Sequence, residues 1–239
     1  MKRLVGIGLG VLAALGSLAF GALLGFGTGV RTDPAFFESA IQAFEEEDRA
    51  NPPVPGVTVF VGSSSFVFWA DLAEDMAPAP VLNRGFGGAH MAHVLHNVHR
   101  VVTPYAPRLV VVYAGDNDLR AGSGKTAEGV AAEYAELVEA IHSRQPDARV
   151  EFITIKPSVS RWEQWPEMER ANELIAAQAR ADERLGVIDI ASPMRGPDGR
   201  PREGLFMFDG LHLNRAGYEL WAKEVRPKVF EGIPKGSAE

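Results

Sequence analysis

Residues 57–65 read V-T-V-F-V-G-S-S-S. A short apolar run rich in β-branched and aromatic residues, ended by a glycine and three serines, is the pattern of a strand buried on both faces. Strands of that kind belong to parallel sheets, whose crossover helices cover both sides. In an open α/β sheet, ligands gather outside the carboxyl ends of the strands. The stretch therefore predicts a serine at the mouth of a sheet. It also asks the rest of the chain for a base, a group to orient that base, and donors for an oxyanion.

The remainder of the chain alternates in the same way. Hydrophobic patterning predicts strands at 57–61, 80–83, 108–114, 150–155 and 187–190. Helices are expected at 65–74, 89–102, 126–145, 162–185 and 214–230. Five strands alternating with helices predict an α/β fold with a parallel sheet covered on both faces. Ahead of the first strand, Phe36, Phe37, Ala40, Ile41 and Phe44 share one face of a helix over 33–50. Asp33 suits its cap, Pro34 its first turn, and Asn51-Pro-Pro-Val-Pro-Gly56 its end. This helix is expected to pack on the body as a collar.

Residues 4–30 contain no charged side chain and follow Met1, Lys2 and Arg3. The run is longer than the ~20 residues that a helix needs to span a bilayer. It also exceeds the ~7–15-residue apolar region of a secretory signal, and no A-x-A cleavage site ends it. The expectation is an uncleaved membrane anchor, with a cleaved signal peptide as the alternative. Positive charge ahead of the span places the body outside the cytoplasm, on the periplasmic or extracellular side. Gly6-x-x-x-Gly10 and Gly21-x-x-x-Gly25 are spaced for close packing of two such helices, although small residues are also common in spans generally. The expected organisation is an anchor at 1–30, an amphipathic helix and Pro-rich linker at 31–56, a catalytic body at 57–232 and a tail at 233–239. Setting aside Lys2, Arg3 and Arg31 leaves 21 basic against 31 acidic residues, so the body carries −10. A body that acidic is a poor general partner for nucleic acid, whose binding rests on neutralising phosphates. The absence of cysteine excludes disulfides, thiol catalysis and cysteine-bound zinc.

The chemistry-bearing residues fall in the loops after the expected strands. Asp209-Gly210-Leu211-His212 precedes the last helix. A carboxylate three residues before a histidine can turn back onto its Nδ1–H, fixing the tautomer and freeing Nε2 as a base. Asn117 stands in Gly115-Asp116-Asn117-Asp118, directly after the most apolar strand, where its amide can donate to an oxyanion. Gly88 ends a glycine-rich turn after the second strand, where an uncovered backbone N–H can donate as well. Each motif alone is ordinary turn chemistry; together the four loops form a constellation.

That constellation resembles the SGNH hydrolases, the GDSL esterase/lipase family, over about residues 57–230. Gly62-Ser63-Ser64 is similar to the family's first block, Asn83-Arg84-Gly85-Phe86-Gly87-Gly88 to the second, Gly115-Asp116-Asn117-Asp118 to the third, and Asp209-x-x-His212 to the last. The resemblance implies a flavodoxin-like three-layer α/β/α fold. It also implies a serine esterase with Ser64 as nucleophile, His212 as base and Asp209 as its orienting acid. The oxyanion hole would be formed by the N–H groups of Ser64 and Gly88 and the amide of Asn117. Such chemistry needs no metal or organic cofactor. It takes a small acyl ester, a lipid or a glycan ester, with transfer to an alcohol other than water, or a silent binding module, as alternatives. The family usually carries Asp ahead of the nucleophile, where this chain has Ser63.

Other features are weaker. Ala121-Gly-Ser-Gly-Lys-Thr126 looks like the end of a phosphate loop, but that motif needs a glycine where Leu119 stands. His90, His93, His96 and His99 recur every three residues on a helix, a spacing that drifts about 60° per step and cannot bring all four to one ion. Trp69, Trp162, Trp165 and Trp221 fit a core, and Trp162 and Trp165, which follow the fourth strand's exit, are also placed to line the pocket and meet the substrate. Arg84 and Arg120 lie beside the motifs and are expected either to meet an anionic group of the substrate or to form surface ion pairs.

Overall fold

The computed structural model describes residues 33–231. The expected membrane segment and the tail at 233–239 lie outside them. Among the described residues no helix is long and apolar enough to cross a membrane.

Five strands form one parallel sheet in the order β2-β1-β3-β4-β5. They are β1 (Thr58–Gly62), β2 (Val81–Gly85), β3 (Leu109–Tyr113), β4 (Arg149–Ile153) and β5 (Leu185–Ile188). The helices are α1 (Glu38–Ala50), α2 (Ser64–Val67), α3 (Leu72–Met76), α4 (Met91–Val101), α5 (Ala127–His142), α6 (Trp165–Ala179) and α7 (Arg215–Phe230). Alternation along the strands divides the core in two. Val59, Val61, Val110, Val112, Val150 and Phe152 join the cluster that also holds residues of α1, α4, α5 and α6. Phe60, Leu109, Val111, Tyr113 and Ile153 join the cluster with α2, α3 and α7. The result is the expected three-layer α/β/α sandwich. Its strand order reverses between β1 and β3, so the crevice of an open sheet falls at the carboxyl ends of those two strands.

The helix expected over 33–50 forms in two pieces: a 3-10 turn over Pro34–Phe37, where Asp33 Oδ1 accepts from the N–H of Ala35 at 2.9 Å, and then α1 from Glu38. Two arginines of the body clamp it. Arg100 donates to Glu45 and Glu38, both at 2.6 Å, and Arg84 donates to Glu47 and Asp48.

Two other expected elements change. The helix over 65–74 breaks into α2 and α3, because Trp69 turns inward between them. It is 1% exposed, packs on Phe60, Tyr218 and Trp221, and donates its indole N–H to Asp75 at 2.7 Å. The helix over 162–185 stops at Ala179, where an Asp182 turn intervenes. Asp182 accepts from the N–H of Arg184 at 2.9 Å, and the N–H of Leu185 donates to its carbonyl at 2.9 Å. Leu185 then enters β5 opposite Val150, so that strand begins two residues earlier than the patterning predicts.

Candidate active site

The end of β1 is fitted closely to β3. A Cβ on Gly62 would lie 1.9 Å from the carbonyl oxygen of Tyr113, and Gly62 has φ +154°. Only glycine lets the two chains pass at this point, and the next N–H, that of Ser63, donates to the same carbonyl at 3.0 Å. The chain then turns into α2. Ser64 is the first residue of that helix, so its N–H has no carbonyl within the helix to bond.

The three serines take different positions. Ser63 is fully buried, and its Oγ has no partner among the described residues. Ser65 is 1% exposed, and its Oγ accepts from Lys156 Nζ at 3.3 Å. Ser64 alone meets the histidine: its Oγ lies 3.0 Å from His212 Nε2. His212 Nδ1 lies 2.6 Å from Asp209 Oδ2, so the three side chains form one row. The other carboxylate oxygen, Oδ1, accepts from the N–H groups of Leu211 and His212, each at 2.9 Å. Burial of Asp209 opposes its ionisation, but those two N–H groups and the imidazole outweigh it and hold the carboxyl below its usual range. Phe68 meets the imidazole edge-on, with ring centroids 4.7 Å apart.

The loops after β2 and β3 are tied together beside this row. Asn117 Nδ2 donates to the carbonyl of Ala89 at 3.0 Å. Both oxygens of Asp118 accept from the N–H of Met91 at 3.1 Å, pinning the start of α4. Gly88, between them, has φ +85° and open space where a Cβ would sit. Its N–H donates to no group among the described residues.

Beneath the row lies a buried polar network that the sequence did not reveal. Lys156, 1% exposed, follows β4 and donates to Asp116 Oδ2 at 2.9 Å, Tyr113 Oη at 2.9 Å and Ser65 Oγ. Arg161 donates to the carbonyl of Asp116 at 2.6 Å and to Asn117 Oδ1 at 3.0 Å. Burial works against the charge on Asp116, yet Lys156 and Arg161 hold its carboxyl well below the carboxylate range. Burial pushes Lys156 below, and Tyr113 well above, their ordinary values. The one available signal in the sequence was a lysine directly after a buried strand, in Lys156-Pro-Ser-Val-Ser-Arg161.

The remaining expectations divide. Arg84 is 1% exposed, held by Glu47, Asp48 and Tyr105, and stacked on the Phe44 ring. Of its two expected roles the ion pair is the one seen, buried instead of at the surface, so it fastens α1 to the body in place of meeting an anionic group. Arg120 is half-buried, and its charge reaches His90. Trp162 lines a cavity of about 510 Å³ with Val159, Arg200, Pro201 and Arg202. That cavity adjoins the acid loop, since the N–H of Ser160 donates to the carbonyl of Gly210 at 3.1 Å. Lys125, from the phosphate-loop look-alike, is engaged by Asp118 at 3.1 Å and Glu133 at 2.6 Å. His90 and His93 are buried at the start of α4, where the N–H of His90 donates to His93 Nδ1 at 3.0 Å. Burial first, then nearby positive charge, pushes both imidazoles down to about 4.

Residues 54–220 match the model of the GDSL-like lipase/acylhydrolase family. The chain is 31% identical over 168 residues to the human platelet-activating factor acetylhydrolase IB subunit alpha1, covering 67% of this chain and 69% of that one. A GDSL-like lipase from Bacteroides thetaiotaomicron superposes with a TM-score of 0.72 at 18% identity, over 84% of this chain and all of that one. An acetyl xylan esterase shares the fold at a TM-score of 0.60 and 19% identity, over 72% of this chain and 100% of that one. The chain belongs to the GDSL-like lipase/acylhydrolase family and is an ester-hydrolysing enzyme.

Proposed function

We propose that the protein is a serine esterase working by two-step acyl transfer on Ser64. One observation carries the reading: His212 Nε2 stands 3.0 Å from Ser64 Oγ while its Nδ1 stands 2.6 Å from Asp209. His212 takes the Ser64 proton as Oγ attacks the ester carbonyl, and Asp209 stabilises the imidazolium that forms. The tetrahedral oxyanion receives the N–H groups of Ser64 and Gly88 and the second hydrogen of Asn117 Nδ2, whose first is engaged by Ala89. Collapse expels the alcohol, which takes the proton from His212. Water then repeats the sequence on the acyl-enzyme and releases the carboxylic acid. Ser65 is a poor candidate for the nucleophile, because its Oγ is buried against Lys156.

The acyl group we propose is short, of acetyl size. The support is the name of the human relative, an acetylhydrolase. The alcohol side of the ester would extend toward the cavity beside Trp162, where Arg200 lies 5.6 Å from the indole centroid. We further propose that residues 4–30 anchor the chain and hold the catalytic body outside the cytoplasm. The test is turnover of 4-nitrophenyl acetate, butyrate and octanoate by the wild type, Ser64→Ala and His212→Ala. The proposal expects kcat/KM to fall with acyl length and both variants to lose turnover. Undiminished turnover in Ser64→Ala would refute the nucleophile, and a preference for octanoate would refute the short acyl group.

A further inference from the structure

We infer that Arg161 is a positioning residue for the oxyanion hole, acting through Asn117. The inference rests on the proposal that Asn117 donates to the oxyanion. An asparagine amide can face either way, and only one orientation presents N–H to a developing negative charge. Here both ends are specified. A guanidinium can only donate, so Arg161, 3.0 Å from Oδ1, requires oxygen at that end. The carbonyl of Ala89 can only accept, so it requires nitrogen at the other. With both in place the amide cannot turn over, and one N–H of Nδ2 remains for the substrate.

Arg161 is itself held. Its second donor reaches the carbonyl of Asp116 at 2.6 Å, and its guanidinium lies 3.4 Å from the Asp116 carboxylate. That carboxylate is braced by Lys156. Two cations therefore share the Asp116 carboxylate, and the Arg161 guanidinium stands directly behind the Asn117 amide. A donor that is charged and fixed in advance polarises the amide it bonds, and costs no reorganisation when the oxyanion appears. The backbone helps to aim it: the 3-10 turn Val159–Gln164 is interrupted at Arg161, with φ −122° and ψ 24°. The same turn is bonded to the acid loop through Ser160 and Gly210, so a purely structural role for Arg161 must be separated from an electronic one.

A double-mutant cycle on the full-length protein makes that separation, with 4-nitrophenyl acetate as substrate and thermal melting as a check on folding. Asn117→Ala is expected to lower kcat by about 10²–10³-fold, as loss of an oxyanion donor does. Arg161→Met is expected to lower kcat by roughly 10–100-fold with KM changed by less than about 3-fold, a loss confined to the transition state. In the double variant, Arg161→Met should cost less than about 3-fold more than Asn117→Ala alone, because its only route to the reaction has been removed. Arg161→Gln, a neutral donor, should recover part of the kcat that Arg161→Met loses. Three results overturn the inference: losses that multiply in the double variant, an unchanged kcat in Arg161→Met, or a raised KM with kcat intact. If Asn117→Ala itself leaves kcat unchanged, the oxyanion assignment has failed and this inference falls with it. If Arg161→Met does not fold, Arg161→Gln and Arg161→Lys complete the cycle.

Discussion

Replacing Asp209 by Asn tests the row at its far end. Asp209 Oδ1 accepts two backbone N–H groups, from Leu211 and His212, each at 2.9 Å. An amide nitrogen cannot accept, so in Asp209→Asn the oxygen must keep the place of Oδ1. The NH₂ then takes the place of Oδ2, 2.6 Å from His212 Nδ1. That nitrogen must now accept, which moves the imidazole proton to Nε2, facing Ser64 Oγ. A base that already carries its proton cannot take another. The equivalent change in a serine protease triad lowers kcat by about 10⁴-fold. At ~1.36 kcal/mol per decade that is ~5.5 kcal/mol of lost transition-state stabilisation. The backbone bonds to Oδ1 are retained, so the melting temperature should shift by only a few degrees, equivalent to about 1 kcal/mol. The assay is kcat for 4-nitrophenyl acetate at fixed pH, alongside thermal unfolding. A loss below about tenfold in a folded variant would mean that His212 is not the base, or that Asp209 does not set its tautomer.

Three further outcomes follow from the same contacts. Ser65→Ala removes one of three acceptors from buried Lys156, so it should lower stability by about 1 kcal/mol in urea unfolding while kcat stays within about 3-fold. Gly62→Ala would put a Cβ 1.9 Å from the Tyr113 carbonyl and force β1 from β3, so a loss above ~4 kcal/mol, or failure to fold, is expected in the same measurement. His90 titrates near 6.5 when unfolded but is pushed down to about 4 in the native state. Between those values the unfolded chain binds a proton that the native protein refuses, so its contribution to stability is full above pH 6.5 and falls as pH drops toward 4. The loss is on the order of 3 kcal/mol. Urea melts at pH 7 and 4.5 should therefore differ less for His90→Gln than for the wild type.

Much of the fold was legible because parallel strands are written as short runs. The segments Val59 to Val61 and Leu109 to Val112 are buried on both sides, and their apolar composition says so directly. Boundaries were harder wherever a tertiary contact outweighed periodicity. Trp69 continues a helical pattern, but its ring is worth more in the core, so the chain bends to bury it. Arg84 shows the same limit at the site. It sits within a strand-end motif in the sequence, yet only the placement of Glu47 and Asp48, some 36 residues away along the chain, reveals that it faces inward. Ser64, Gly88 and Asn117 stand just past strand ends, where an open sheet gathers chemistry, and Asp209 and His212 stand just ahead of α7; these places mark them as candidates in the sequence, and the structure brings Ser64, His212 and Asp209 within hydrogen-bond distance in one row. Lys156 and Arg161 were not legible, because what marks them is their partners. Lys156 is shared by Ser65, Tyr113 and Asp116, and Arg161 by Asp116 and Asn117, all brought together only by the sheet order.

The most direct measurement is to treat the protein with a fluorophosphonate and locate the adduct by peptide mass spectrometry. A phosphonyl group on Ser64, absent in Ser64→Ala and strongly slowed in His212→Ala, is the predicted result. An adduct on Ser65, or none while 4-nitrophenyl acetate is still hydrolysed, would contradict the assignment of Ser64 as the nucleophile.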